Sequence, residues 1–155
     1  MVSDLDKILL TSVLTILGGL LIHVLSQMFI KVFLEPCVEF KKSRGDVITY
    51  LTFYSNMHDS RLRHNDADGY KNRYYKAQDD IRLSMAKFRS SYYSITPHRL
   101  AVLLGITPRF QTFENISNNL LKLSFLGDLK EEGDKMLENT RLAKETFKLL
   151  KVRGY

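Results

Sequence analysis

The chain has 155 residues, and an apolar N-terminal segment occupies residues 1–34. The other 121 residues suffice for one compact domain and exclude a large multidomain enzyme. Those 121 residues carry 21 basic and 15 acidic side chains, which accounts for the whole net charge of +6 and favours anionic partners. The single cysteine, Cys37, excludes an intrachain disulfide framework and is compatible with a reducing compartment.

Residues 8–30 form a run of 23 residues without Asp, Glu, Lys or Arg. A helix of this length is ~35 Å long and covers a ~30 Å hydrocarbon core with some tilt. The preceding residues are not net positive and no small-residue cleavage site follows, so we predict a retained anchor rather than a cleaved signal peptide. Basic residues number one before the run and four soon after it, which predicts a single pass with the C-terminal domain in the cytoplasm.

One side of this span carries small and polar residues, within about 140° of one another on a helical projection. They are Thr11, Ser12, Thr15, Gly18, Gly19, His23 and Ser26. Such a stripe lets helices approach closely, and an imidazole within a span is costly without a partner, so we expect self-association. Two alternatives are a tolerated scatter of polar residues on a lipid-facing helix and the lining of a pore.

Residues 35–155 show no convincing period-two alternation and contain few Gly and Pro, so we predict an all-α fold. Pro36 is expected to kink the helix that leaves the membrane rather than to end it, and this helix continues to about Met57. Its predicted apolar face consists of Phe40, Val47, Ile48, Leu51 and Tyr54. A polar loop over residues 58–69 follows.

A long helix over residues 70–93 is predicted next, from apolar residues at the three-four spacing of a helical bundle. These are Tyr70, Tyr74, Ala77, Ile81, Met85, Phe88 and Tyr92. Thr96-Pro97 and Thr107-Pro108 each place a capping hydroxyl before a proline at the first helical position, and we expect these two helices to end near Gly105 and Gly127. A last helix is predicted from about Asp128 to Val152.

The predicted architecture is therefore an all-α chain with two parts. Residues 1–34 form a transmembrane anchor with a short N-terminal tail, and residues 35–155 form a cytosolic helical-bundle domain that senses a ligand. No pair among the four histidines has a zinc-ligand spacing on a helix, and the chain has no Gly-rich phosphate loop and no nucleophile-elbow motif. We therefore predict a protein that is not an enzyme and needs neither a metal nor a cofactor.

Basic and aromatic residues are interleaved in the polar loop and the helix after it. The candidate ligand-binding residues are Arg61, Arg63, His64, Asn65, Lys71, Arg73, Tyr74 and Arg82. Guanidinium groups bind phosphate oxygens through paired hydrogen bonds, and aromatic rings stack on bases, so the set could hold a small nucleotide or an oligonucleotide. The alternative is an ordinary solvated face, since Asp59, Asp66, Asp68, Asp79 and Asp80 dilute the charge. Lys41, Lys42 and Arg44 are assigned to lipid headgroups.

A series of short segments follows one another along nearly the whole chain. In order these are residues 29–36 (FIKVFLEP), 48–51 (ITYL), 81–84 (IRLS), 95–97 (ITP), 106–108 (ITP) and 120–124 (LLKLS). The arrangement resembles a group of small bacterial membrane-anchored helical proteins, and within it the membrane effectors of type III CRISPR systems that bind a cyclic oligoadenylate. The site residues named above come from the charge argument and not from this resemblance.

The resemblance implies a homotetramer in the bacterial inner membrane, whose cytoplasmic domain binds cyclic tetra-adenylate and whose spans disrupt the membrane during phage infection. A four-fold assembly would place four copies of each cation around the ring, and this multivalency would add affinity to a weak patch. The alternative is a non-catalytic membrane-anchored adaptor whose helical domain binds a protein partner. A third hypothesis is a small pore-forming toxin that needs no ligand.

Overall fold

A computed structural model describes residues 4–58, 68–125 and 134–151. Within these ranges the chain consists of helices and their connections, without a β-strand, which confirms the all-α prediction. The helices are α1 (Asp4–Phe29), a π-helical turn (Ile30–Leu34), α2 (Glu35–Phe53), α3 (Ser55–His58), α4 (Asp68–Tyr93), α5 (His98–Leu103), α6 (Phe110–Leu123) and α7 (Asp134–Leu149).

The candidate span and the first bundle helix are one continuous helix, Asp6–Phe53, of 48 residues. Pro36 does not end it, as predicted, because the π-helical turn lies immediately ahead of the proline. Proline lacks an N–H and its ring crowds the carbonyl four residues back, so an α-helix cannot pass it unchanged. In the wider turn, the Glu35 N–H donates to the Ile30 carbonyl five residues back, which absorbs the register change.

Helices α2 and α4 pack antiparallel and form the core of the bundle. The Phe40 ring lies 5.2 Å from Phe88 and 5.8 Å from Tyr92, measured between ring centroids. Further along, the Ser43 and Ser91 hydroxyls are 2.6 Å apart, and both side chains are buried. The N-terminal part of α2 therefore lies against the C-terminal part of α4.

Helices α6 and α7 complete the core. Phe113 of α6 is fully buried and stacks on Tyr92, with ring centroids 3.6 Å apart and an angle of 5° between the planes. Helix α7 buries Leu142, Ala143 and Phe147. The predicted apolar faces of α2 and α4 are buried or half-buried, because helical spacing and burial coincide there, whereas Leu103 and Leu104 of the α5 segment and Phe110 of α6 are exposed.

Several predicted helix ends differ from the structure. Helix α5 has Pro97 rather than Thr96 at its N-cap, α6 has Arg109 rather than Thr107, and neither makes a side-chain capping bond. Both N-cap residues have extended backbone, which carries the chain past the threonines before the first helical turn. The end of α5 near Gly105 is confirmed, where φ is +68° in the left-handed region that favours glycine.

The other differences are smaller. Helix α2 ends at Phe53 and a four-residue helix follows, so the predicted single helix to Met57 is interrupted at Tyr54. Helix α6 ends at Leu123. The predicted stop near Gly127 and the predicted start near Asp128 lie outside the described residues.

Candidate functional site

The predicted ligand residues fall into two groups in the structure. Arg61, Arg63, His64 and Asn65 lie outside the described residues. Lys71, Arg73, Tyr74 and Arg82 lie on α4, the helix that packs against the extension of the candidate span. The four described residues do not form one cluster, and their surroundings differ.

Tyr74 belongs to the core rather than to the surface. It is 2% exposed and packs in a small cluster with Tyr54 and Ala77, with Tyr50 and Tyr70 alongside. A ring this deeply buried is not placed to stack on a base, so the alternative interpretation, that tyrosines on a bundle helix are packing residues, describes this position.

Lys71 and Arg82 share one face of α4, because eleven residues return a helix to nearly the same direction at ~100° per residue. Arg73 lies on the opposite side, with its guanidinium 5.8 Å from the Phe53 ring centroid. The basic face therefore consists of Lys71, Arg82 and Arg89, with exposed Tyr75 and Tyr93 beside them. It is called the α4 basic face below.

Cations of the α4 basic face are only weakly paired. The Lys71 Nζ lies 3.8 Å from the Asp68 carboxylate, and an Arg82 nitrogen lies 3.5 Å from Asp79. Both aspartates are largely exposed, so each pair contributes about 0–1 kcal/mol and is screened by salt. Arg82 also lies 4.9 Å from the Phe125 ring centroid. Such cations can exchange a carboxylate for a phosphate at little cost.

Two buried tyrosines have hydrogen-bond partners inside the bundle. The Tyr54 hydroxyl donates to the Asp80 carboxylate at 2.6 Å, and burial together with this bond raises the pKa of Tyr54 to about 12. Burial likewise raises the pKa of Tyr92 to about 12, and its hydroxyl lies 2.7 Å from the His98 Nε2. Both hydroxyls therefore stay protonated at physiological pH.

A cavity of about 320 Å³ lies on another part of the bundle and was not predicted from the sequence. Arg44 of α2, Arg109 at the start of α6 and Lys151 after α7 line it, together with Thr107 and Thr112. The sequence assigned Arg44 to lipid headgroups. In the structure the Arg44 guanidinium donates to the Leu150 carbonyl at the end of α7. Nothing in the sequence indicates this cluster, because its cations are far apart along the chain.

Metal-ligating groups and the single cysteine were the remaining candidates for chemistry. Within them, no group of three or more His, Cys, Asp or Glu side chains is placed to hold a metal ion. Cys37 is 3% exposed, and burial raises the pKa of its thiol, so the nucleophilic thiolate is disfavoured there.

The candidate span is exposed along its length, and its hydroxyls bond within the helix. Thr11, Ser12 and Thr15 donate to carbonyls four residues earlier, at 2.8 to 2.9 Å. A hydroxyl bonded to its own helix can face hydrocarbon without an unsatisfied donor. It can also leave this bond for a neighbouring helix, so the stripe fits either lipid contact or association.

No protein-family model, curated protein or solved structure matches the chain. Fold and surface together define a helical-bundle protein with one candidate membrane-spanning helix, by length and composition, among the residues described.

Proposed function

We propose that this protein is a non-enzymatic effector of the bacterial inner membrane whose cytoplasmic bundle binds a cyclic oligoadenylate and whose associated spans then perturb the membrane. The observation that carries the proposal is the continuous helix Asp6–Phe53, which serves as both the candidate span and a core helix of the bundle. A rotation or shift of α2 within the bundle would be transmitted directly to the membrane segment.

Packing near the π-helical turn supports this coupling. Phe33 lies within the turn, is 2% exposed and belongs to the main core. The bundle therefore packs against this helix as far as the predicted membrane boundary. Single π-helical turns frequently occur at functional sites. A ligand that favours one arrangement of the bundle would shift the population of arrangements of the spans.

The α4 basic face supports an anionic ligand. Its cations are accessible and weakly paired, and exposed Tyr75 and Tyr93 offer surfaces on which a base could stack. The proposed ligand is cyclic tetra-adenylate, and the proposed assembly is a homotetramer that presents each cation four times around the ring. Antiviral defence alongside a type III CRISPR system is the proposed context.

The test uses the full chain in lipid vesicles, titrated by calorimetry with cyclic tri-, tetra- and hexa-adenylate at two salt concentrations. We expect one ring to bind, to bind less tightly at higher salt, and to cause release of a trapped dye. Lys71→Glu together with Arg82→Glu is expected to abolish binding. Lys87→Glu is the control, since it makes the same type of charge change on an exposed part of α4 away from this face.

The polar segment before α4 is tested separately with Arg61→Glu and Arg63→Glu. Loss of binding in these variants, with an unchanged far-UV spectrum, would support the residues predicted from the sequence. Unchanged affinity in both variants would remove that segment from the site. Failure of a folded chain in vesicles to bind any of the rings would contradict the proposed ligand.

A second candidate is the adaptor that binds a protein partner, favoured by exposed apolar side chains around the α5–α6 connection. Leu103 is 83% exposed, and Leu104 and Phe110 are more than half exposed. The adaptor predicts no ring binding and tolerance of changes along the span. Gly18→Leu separates the two functions, because a Cβ at Gly18 meets nothing within 4 Å in a single chain. An effect on dye release must then come from contacts between copies.

A toxin that needs no ligand would release dye without any cyclic nucleotide. The same vesicle assay therefore distinguishes all three hypotheses: release on ligand addition, release without ligand, or no release.

A further inference from the structure

The cavity of about 320 Å³ lies between α2, the α5–α6 connection, the start of α6 and the end of α7, with Phe88 of α4 also in its wall. Its size falls at the lower end of the range of small-molecule pockets. Part of the wall is apolar, with Phe40 and Ile116, and part is polar. Apolar walls with a few convergent polar groups are typical of a ligand site rather than of a packing defect.

All charged side chains among the described lining residues are basic. Arg44, Arg109 and Lys151 contribute three cations, whereas none of the described residues that line the cavity is acidic. In the described part of the chain, the ion pairs of Lys7, Lys71, Arg82 and Arg141 lie elsewhere. Like charges that line one cavity without a carboxylate repel one another, and a bound anion would relieve that repulsion.

The start of α6 adds to this positive potential. Arg109 is its N-cap and its side chain makes no capping bond, so the N-cap residue offers no side-chain acceptor to the first N–H groups of this 14-residue helix. The positive end of the helix dipole favours an anion at the same place. Thr112, in the first turn, also lines the cavity.

An unpaired hydroxyl in the wall is an independent indication of a ligand. Thr107 lines the cavity, is 5% exposed, and its Oγ1 has no hydrogen-bond partner among the described residues. Buried polar groups are nearly always paired, and leaving one unpaired costs about 1–3 kcal/mol. A ligand oxygen in the cavity could accept from this hydroxyl after a small local adjustment.

We infer that this cavity binds the phosphoryl group of a small water-soluble molecule, with Arg109 and Lys151 as its principal cations. Guanidinium and helix N–H groups both match phosphate oxygens. Arg44 follows the apolar run by 14 residues, which places it ~20 Å beyond the end of the span along a straight helix. Headgroup regions extend only ~5–8 Å beyond the hydrocarbon on each side, so a lipid phosphate is the less suitable source.

Occupancy would act on the helix that continues into the candidate span. Arg44 lies on that helix and holds the Leu150 carbonyl at the end of α7. A phosphoryl group would compete with this carbonyl for the guanidinium and loosen α7 from α2. The site shares no residue with the α4 basic face, so it does not depend on the proposed function.

The experiment uses the full chain in dodecyl maltoside and calorimetric titration with inorganic phosphate, AMP and adenosine at constant ionic strength. Phosphate or AMP is expected to bind and adenosine is not, because only the phosphoryl group meets the cations. Arg109→Gln and Lys151→Gln should each weaken binding roughly tenfold or more. Arg99→Gln is the matched control, because Arg99 is exposed and does not line the cavity.

Three results would overturn the inference. The first is that a folded wild-type chain binds neither phosphate nor AMP. The second is that Arg99→Gln weakens binding as much as Arg109→Gln, which would indicate a diffuse positive field. The third is that phosphatidylglycerol in a nanodisc displaces AMP, which would make a lipid headgroup the ligand. Binding of cyclic tetra-adenylate that survives Arg109→Gln but not Lys71→Glu would show that the two sites are separate.

Discussion

The two halves of the helix Asp6–Phe53 have the same backbone and opposite surroundings. Among the described large apolar side chains of α1, the exposed fraction is lowest at Val13, with 45%, and highest at Ile16, with 71%. In α2, Phe40, Val47 and Leu51 are at most 1% exposed. Backbone hydrogen bonding therefore does not distinguish the halves, and what covers the side chains does. The described residues leave the first half uncovered, whereas the second is covered by α4 and the rest of the bundle.

The same truncation in each half gives the largest expected contrast. Leu51→Ala removes a fully buried side chain and should lower the free energy of unfolding by about 2–5 kcal/mol. Leu20→Ala, in the same helix at 60% exposure, should change it by less than about 0.5 kcal/mol. Urea unfolding of the full chain in detergent, followed by circular dichroism, measures both. Equal losses would mean that α1 packs against the bundle.

A charge placed in each half tests the covering of the first. Leu17→Arg puts a guanidinium near the middle of the candidate span, which costs about 2.5–3.5 kcal/mol on insertion scales. We expect a larger fraction of this variant to be extracted from membranes by alkaline carbonate. Val38→Arg, at a position of α2 that is 51% exposed, should stay in the membrane pellet. Retention of both variants in the membrane pellet would show that residues 8–30 do not anchor the protein in the membrane.

The sequence predicts the long helices well because the apolar residues that recur at helical spacing are the residues that become buried. Phe88 and Phe113 are spaced for an inward face, and both are fully buried. Helix starts are predicted less well, since Thr107-Pro108 matches a capping pattern while the extended backbone at Arg109 delays the helix. A local motif cannot anticipate a constraint that comes from packing.

Site residues are harder to predict than the fold, for a related reason. Tyr74 is a sensible base-stacking residue in sequence, yet three-dimensional packing places it in the core. Arg44, Arg109 and Lys151 meet at one cavity, although no spacing along the chain relates them. Their proximity depends on the antiparallel docking of α2 and α4 and on where α7 ends.

The hydrogen bond between Tyr54 and Asp80 inside the bundle gives a smaller and pH-dependent effect on the free energy of unfolding. Tyr54→Phe removes the bond to Asp80 and should cost about 1.5 kcal/mol at neutral pH. In the wild type, the folded pKa of Tyr54 is about 12 and the unfolded value is 10.0. Above pH 10 the unfolded state loses this proton while the folded state keeps it, so stability falls between about pH 10 and pH 12.

The variant serves as its own control for lysine titration in the same range. Tyr54→Phe lacks the titrating hydroxyl, so the free energy of unfolding of the wild type minus that of the variant should fall as pH rises from 10 to 12 and reverse its sign within that range. Thermal unfolding at matched pH values measures it. A difference that is constant with pH would mean that Tyr54 titrates alike in both states and that burial does not protect its proton.

Hydroxyls show the contrast between the candidate span and the bundle at its smallest scale. Thr15 in the span bonds to the Thr11 carbonyl, whereas the buried Thr107 hydroxyl in the bundle has no partner. Thr107→Val should therefore raise the free energy of unfolding by about 1 kcal/mol, since a methyl group replaces an unsatisfied donor of similar size. Ser117→Ala should also stabilise, because the Ser117 hydroxyl is buried and unpaired too. Thr15→Val should leave bundle unfolding unchanged, because its hydroxyl lies outside the cooperative core.

A different result would change the interpretation of the cavity. If Thr107→Val destabilises the chain while Ser117→Ala stabilises it, the Thr107 hydroxyl has a partner in solution. The cavity beside it is then already occupied by water or by an anion.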